Sequence, residues 1–150
     1  MRILLAVDHS RCSHAAVDAV LSEFDPAHAD VHVLHVDDWP RGLAISYAFD
    51  RSSRAAEDVE AMHEAQQQRD EALVEDIERR FHAARFNTTS EIRSGDAEHE
   101  ILACAASWRP DLIVVGSHGR RGLRRLALGS VSEGVLRNAA CSVEIVRPPA

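Results

Sequence analysis

Five of the seven glycines fall between Gly116 and Gly134, in the run GSHGRRGLRRLALGSVSEG. Glycine lets the backbone approach a ligand closely and take positive φ, so that successive amides can converge on an anion. Gly129 and Ser130 stand where the next helix should begin. A helix amino end presents unbonded amides and a partial positive charge, both suited to phosphate, and the Ser130 hydroxyl could add a further contact. A glycine-rich turn with Ser130 as an ordinary cap would also explain a bare G-x-x-G. The complete spacing is more specific: Gly116, two residues, Gly119, nine residues, Gly129, then Ser130. It points to phosphate binding.

A second group, Asp8-His9-Ser10, ends the first apolar run. In an open parallel sheet, ligands sit beyond the carboxyl ends of the strands, where strand order reverses. If the first and fourth strands are neighbours, this group faces the glycine segment across that crevice. Asp8 could then accept a hydrogen bond from a ribose hydroxyl or an adenine edge, worth about 1.5–3 kcal/mol for a charged acceptor. Capping the next helix is an equal alternative for Asp8. His9 and His118 both follow those strands and could touch phosphate when protonated, or simply be solvated. Arg120, Arg121, Arg124 and Arg125 could neutralise phosphate, form a solvated loop or contact a partner.

Other chemistry is poorly supported. All 17 basic residues are arginine, and the absence of lysine removes the P-loop, Schiff-base chemistry and lysine-dependent phosphoryl transfer. It also disfavours a phospho-acceptor receiver domain. Of the nine histidines, His28, His32 and His35 lie closest together. His32 and His35 differ by an odd step on a strand and should point to opposite faces. No His/Cys/Asp set has convergent spacing, so no metal site is expected. Ser13, Ser117 and Ser132 have no evident His/Asp partners, and no catalytic residue is assigned. Cys12, Cys104 and Cys141 read as reduced, packed thiols.

The elements that must position these groups alternate. Strands are read at Arg2–Val7, 31–36, 88–93, 111–115 and Ser142–Val146. Helices are read after Ser10, over 54–84, after Gly95-Asp96 and over Ser130–Asn138. The segment 39–53 is irregular. In the long polar helix Leu73, Ile77 and Phe81 form a clear apolar face, which Gln66, Arg69 and Asp70 interrupt. The order β-α-β-α-β-α-β-α-β specifies one doubly wound α/β domain over 1–150, a parallel sheet with helices on both faces. Strands one, two and four are near-continuously apolar, as buried parallel strands are. The third is β-branched and polar, as an edge strand often is.

A net charge of −7 argues against nucleic-acid partners. No apolar run approaches the roughly 20 residues needed to cross a bilayer. The opening run lacks a signal-peptide layout, so no membrane association and a cytoplasmic location are expected.

With these residues assembled, the chain resembles the universal stress proteins over essentially its whole length. The likeness rests on the opening strand into Asp8-x-Ser10, on Leu34-His35-Val36 closing the second strand, and on Gly95-Asp96 before the third helix. It ends in the G-x2-G-x9-G-[ST] signature of the family's ATP-binding branch. The resemblance implies a five-stranded sheet of order 3-2-1-4-5 and adenine held near Asp8 and the Val36 backbone. It also implies ribose and phosphates against Gly116, Gly119, Gly129, Ser130 and Val131. Family members commonly form homodimers through the last strand, here Ser142–Val146. His9 stands where the family commonly has glycine, Ser142 replaces a frequent proline, and Glu144 facing its symmetry mate would weaken that dimer.

The expected function is a nucleotide-dependent regulatory or stress-response module. It would bind ATP, or another adenine nucleotide, with Mg²⁺ and signal to a protein partner of unknown identity. A slow ATPase or self-phosphorylating enzyme using the same pocket is the alternative. An adenylyl-transferring enzyme of the ATP pyrophosphatase type would need a serine- and glycine-rich loop where this chain has only Asp8-His9-Ser10.

Overall fold

β1 (Arg2–Val7) is the central strand, and its Ile3, Leu4 and Leu5 are fully buried because both faces of the sheet are covered. In this computed structural model residues 1–38, 54–119 and 128–148 are described. The irregular segment 39–53 and the four loop arginines, Arg120, Arg121, Arg124 and Arg125, lie outside them. β1 is followed by α1 (Arg11–Glu23), β2 (Asp30–Asp37), α2 (Arg54–Ala83) and β3 (Asn87–Ser94). Then come α3 (Ala97–Trp108), β4 (Leu112–Gly116), α4 (Ser130–Asn138) and β5 (Ser142–Val146). The strands form one parallel sheet in the order β3-β2-β1-β4-β5, the expected topology.

Alternate residues of β1 feed two cores. Ile3, Leu5 and Val7 pack with Ala16, Val17 and Val20 of α1 and with Leu73, Ile77 and Phe81 of α2. Leu4 packs on the other face with Leu34, Ile101, Cys104, Ile113 and Val135, so α3 and α4 cover that side. Burying side chains of this size contributes roughly 1.5–3 kcal/mol each. β3 lies at one edge, as its polar composition predicts, and none of its residues is fully buried. β4 begins one residue later than expected, and Asp111 before it bonds Arg2 twice, its amide donating to the Arg2 carbonyl at 2.8 Å and its carboxylate accepting the Arg2 amide at 2.7 Å. β5 forms the other edge. Its Val143 and Ile145 lie against the α3/α4 core, while burial and the nearby Glu23 push the Glu144 carboxyl above its ordinary range.

Because every strand runs the same way, α1, α3 and α4 all begin at the carboxyl end of the sheet. That end carries the candidate site.

Candidate functional site

The turn after β1 is held by its own side chains. The Asp8 amide donates to Ser13 Oγ at 2.9 Å, and the Ser10 amide donates to Asp8 Oδ1 at 3.0 Å. Ser10 is the N-cap of α1 and accepts from the Ser13 amide at 3.1 Å. Of the two roles open to Asp8, capping therefore falls to Ser10. Asp8 instead braces the turn, and its second carboxylate oxygen lies toward the glycine segment: a Cβ on Gly119 would come within 3.0 Å of Oδ2.

β1 and β4 are neighbours, so the expected crevice exists. Ser10 Oγ donates to the His118 carbonyl across it at 3.2 Å. Gly116 is required by packing: its Cβ would lie 2.7 Å from the Cys12 carbonyl carbon and 2.9 Å from the Ser13 amide nitrogen. Without that side chain, the first turn of α1 can sit directly on the end of β4. At the far side the Gly129 amide donates to the Ser117 carbonyl at 2.8 Å. Ser132 Oγ reaches the same carbonyl at 3.1 Å and the Gly129 carbonyl at 2.9 Å. Sequence reasoning missed this role of Ser132; the signal was a serine three positions after the glycine cap.

α4 begins differently from its neighbours. Its N-cap is Gly129, with φ −68° and ψ 153° and no side-chain hydrogen bond to the first turn. Ser130 is exposed at the first helical position, and Val131 is half-buried against the α3/α4 core. Val36, at the end of β2, packs on that same core. The structure thus brings Asp8, Gly116, Gly119, Gly129, Ser130 and Val131 to one crevice, with Val36 one strand further out. A Cβ on Gly119 would meet Asp8 Oδ2 at 3.0 Å and one on Gly129 the Ser117 and His118 backbone at 3.3 Å, and the α4 amino end beside them has no side-chain cap. These residues fit a phosphate-bearing ligand.

His9 does not join them. Its Nε2 lies 2.7 Å from Asp70 Oδ1, and its ring meets His35 edge-on at 5.7 Å between centroids. Asp70, which interrupts the apolar face of α2 in the sequence, is buried by this contact. His32 and His35 do point to opposite faces: His32 bonds Thr89 and Glu91 beside Trp108, whereas His35 lies next to Asp70. Two groups thereby acquire donor atoms within 4.8 Å of one another: His9, His35 and Asp70, and His32, Glu91 and Cys104. The expectation that no His/Cys/Asp set converges is corrected, because it compared neighbours in sequence and these residues come from separate elements. In the second group burial pushes the Cys104 thiol, which donates to Glu91, up to about 12.

The model of the universal stress protein family matches residues 1–147. The chain belongs to that family. Universal stress protein YxiE of Bacillus subtilis is 32% identical over 152 residues, covering 97% of this chain and 98% of its own. Universal stress protein A homolog 2 of Coxiella burnetii is 41% identical over 83 residues, a match spanning 52% of this chain and about half (56%) of that relative. Among solved structures, that of hypothetical protein MJ0577 superposes with a TM-score of 0.77 at 26% identity, covering 99% of this chain and 96% of that one. A family member from Arabidopsis thaliana, solved with AMP bound, gives 0.73 at 22% identity over 100% and 93% of the two chains. A universal stress protein in complex with cAMP gives 0.62 at 19% identity over 97% and 95%.

Proposed function

We propose that this chain binds an adenine nucleotide, ATP with Mg²⁺ foremost, across the crevice between β1 and β4 and acts as a nucleotide-dependent regulatory module. The observation that carries the reading is the amino end of α4, capped by a glycine and set beside Gly116, Gly119 and Asp8. An anion at such an end gains about 0.3–1 kcal/mol, and up to about 2 where partly buried. The signature G-x2-G-x9-G-[ST] and the AMP- and cAMP-bound relatives support adenine as the base. Phosphates would meet the amides of Ser130 and Val131, with ribose or adenine near Asp8 and the Val36 backbone. Mg²⁺ would be held mainly by phosphate oxygens and water, as is usual for that ion.

The β5 edge is the proposed homodimer surface, in keeping with its half-buried apolar residues.

Calorimetric titration of Mg²⁺-ATP into nucleotide-stripped protein tests the reading, with Gly129→Val in parallel. The φ and ψ of Gly129 are open to valine, whose Cβ would come within 3.3 Å of the Ser117 and His118 backbone beside the α4 amino end, and circular dichroism checks that the variant folds. Micromolar binding lost in the variant is expected. Absence of binding by folded wild-type protein, with no nucleotide released on stripping, would sink the proposal. Release of ADP by wild type but not by the variant would assign turnover to the same pocket.

A further inference from the structure

Behind the turn that carries Asp8, on the α2 side of the sheet, His35 is almost fully buried and its Nδ1 lies 2.8 Å from the Val7 carbonyl. A carbonyl only accepts, so Nδ1 carries the proton. In the neutral ring, Nε2 is then a bare lone pair. It points at Asp70 Oδ1, 3.1 Å away and itself an acceptor, and no hydrogen bond joins them. Asp70 is equally buried, and its other oxygen, Oδ2, has no partner either. Either a proton on His35 Nε2 or a metal cation between the two would join these facing buried atoms.

His9 completes the set from the solvent side, with its ring about one-third exposed and Nε2 2.7 Å from the same carboxylate. Two imidazole nitrogens and a carboxylate, one position open to water, are a frequent donor set for zinc and similar ions. An Nδ1–H bonded to a backbone carbonyl is also the usual device that aims Nε2 at a metal. Gln66, donating to Asp70 Oδ1 at 2.8 Å, steadies the carboxylate in the same way. Tetrahedral ligands at about 2.0–2.1 Å from zinc stand about 3.3 Å apart. The exposed His9 ring need swing out only slightly to reach that spacing.

We propose that His9 Nε2, His35 Nε2 and the Asp70 carboxylate bind a divalent transition-metal ion of the zinc class. His9 would bind as the neutral imidazole with its one proton on Nδ1, and water would fill the fourth position. The proposal does not depend on the nucleotide reading, although His9 and His35 adjoin Asp8 and Val36 in the chain.

The test uses full-length protein freed of nucleotide and metal, titrated with Zn²⁺ against a chromogenic chelator. His9→Gln, Asp70→Asn and Cys104→Ser are run beside wild type, with circular dichroism to confirm folding. One equivalent of Zn²⁺ is expected, bound at least tenfold more weakly by His9→Gln and Asp70→Asn and unchanged in Cys104→Ser. His9→Gln alters an exposed ring, so it stays informative even if Asp70→Asn fails to fold. Equal affinity in wild type and His9→Gln overturns the proposal. Loss of binding in Cys104→Ser with retention in His9→Gln overturns it too, and moves the ion to His32, Glu91 and Cys104.

Discussion

The amino ends of α1 and α4 open at the same end of the sheet and are finished in opposite ways. At α1 a serine accepts from the first turn, a second serine holds the preceding strand, and an aspartate braces the bend. α3 is built similarly, Asp96 accepting from the His99 amide at 2.9 Å. At α4 the corresponding position is a glycine, and Ser132, the hydroxyl three residues on, turns back to the Ser117 and Gly129 carbonyls. One end spends its polar groups on the fold, and the other leaves its amides for something external. Two glycines divide along the same line. Gly116 is dictated by backbone contact with α1, while Gly129 has ordinary dihedrals and no contact closer than 3.3 Å for an added Cβ.

The largest effect should come from Gly116→Ala. Its methyl group meets backbone that cannot swing aside, an overpacking that costs roughly 1–3 kcal/mol. Urea denaturation should show the loss; unchanged stability would mean α1 is free to move off β4. Next is Gly129→Asp, which gives α4 the side-chain cap it lacks and a negative charge beside that of Glu133. Stability should hold or rise by a few tenths of a kcal/mol. ATP affinity should fall at least tenfold by calorimetry, about 1.4 kcal/mol. If binding survives, the two amino ends are not functionally different.

Ser10→Ala is the converse. It should cost about 1 kcal/mol of stability, the usual worth of a cap, with a smaller change in ATP affinity than Gly129→Asp produces. The smallest effect tests the sheet edge far from either end. Burial would raise the Glu91 carboxyl, but hydrogen bonds from His32, Arg93 and Cys104 hold it below its ordinary value. A depressed carboxylate stabilises the fold above the unfolded pKa, and that stability fades as pH falls through the folded one. Glu91→Gln should therefore lose under about 1 kcal/mol at neutral pH, a difference that narrows in acid. A gap that widened on acidification would reverse the sign and refute the assignment.

The alternation of elements and most of their boundaries were legible because apolar runs and their interruptions are local signals, whereas the strand order was implied by the family resemblance. β1, α4 and β5 fall where periodicity and cap residues put them. The crevice was legible only on the condition that β1 and β4 are neighbours, which alternation alone leaves open, with the glycine spacing marking one side of it. Asp70 was not. A carboxylate in a helix reads as a break in an apolar face, and only the packing of α2 on β2 shows that His35 and His9 converge there. The role of Asp8 was half legible: its place facing the glycines followed from topology, while its bond to the Ser10 amide depends on local turn geometry.

Strand order also bears on how the molecule comes together. Arg2 and Asp111, which bond at the start of the β1–β4 pair, are 109 positions apart in the chain. β1 can pair with β2 while the chain is still being synthesised, but its other edge must wait for β4. Joining such distant segments is the slow, entropically expensive part of forming a sheet. The crevice is thus absent from every partial structure and appears with the last long-range pairing. Any ligand held there stabilises only the finished molecule, in proportion to the logarithm of its concentration.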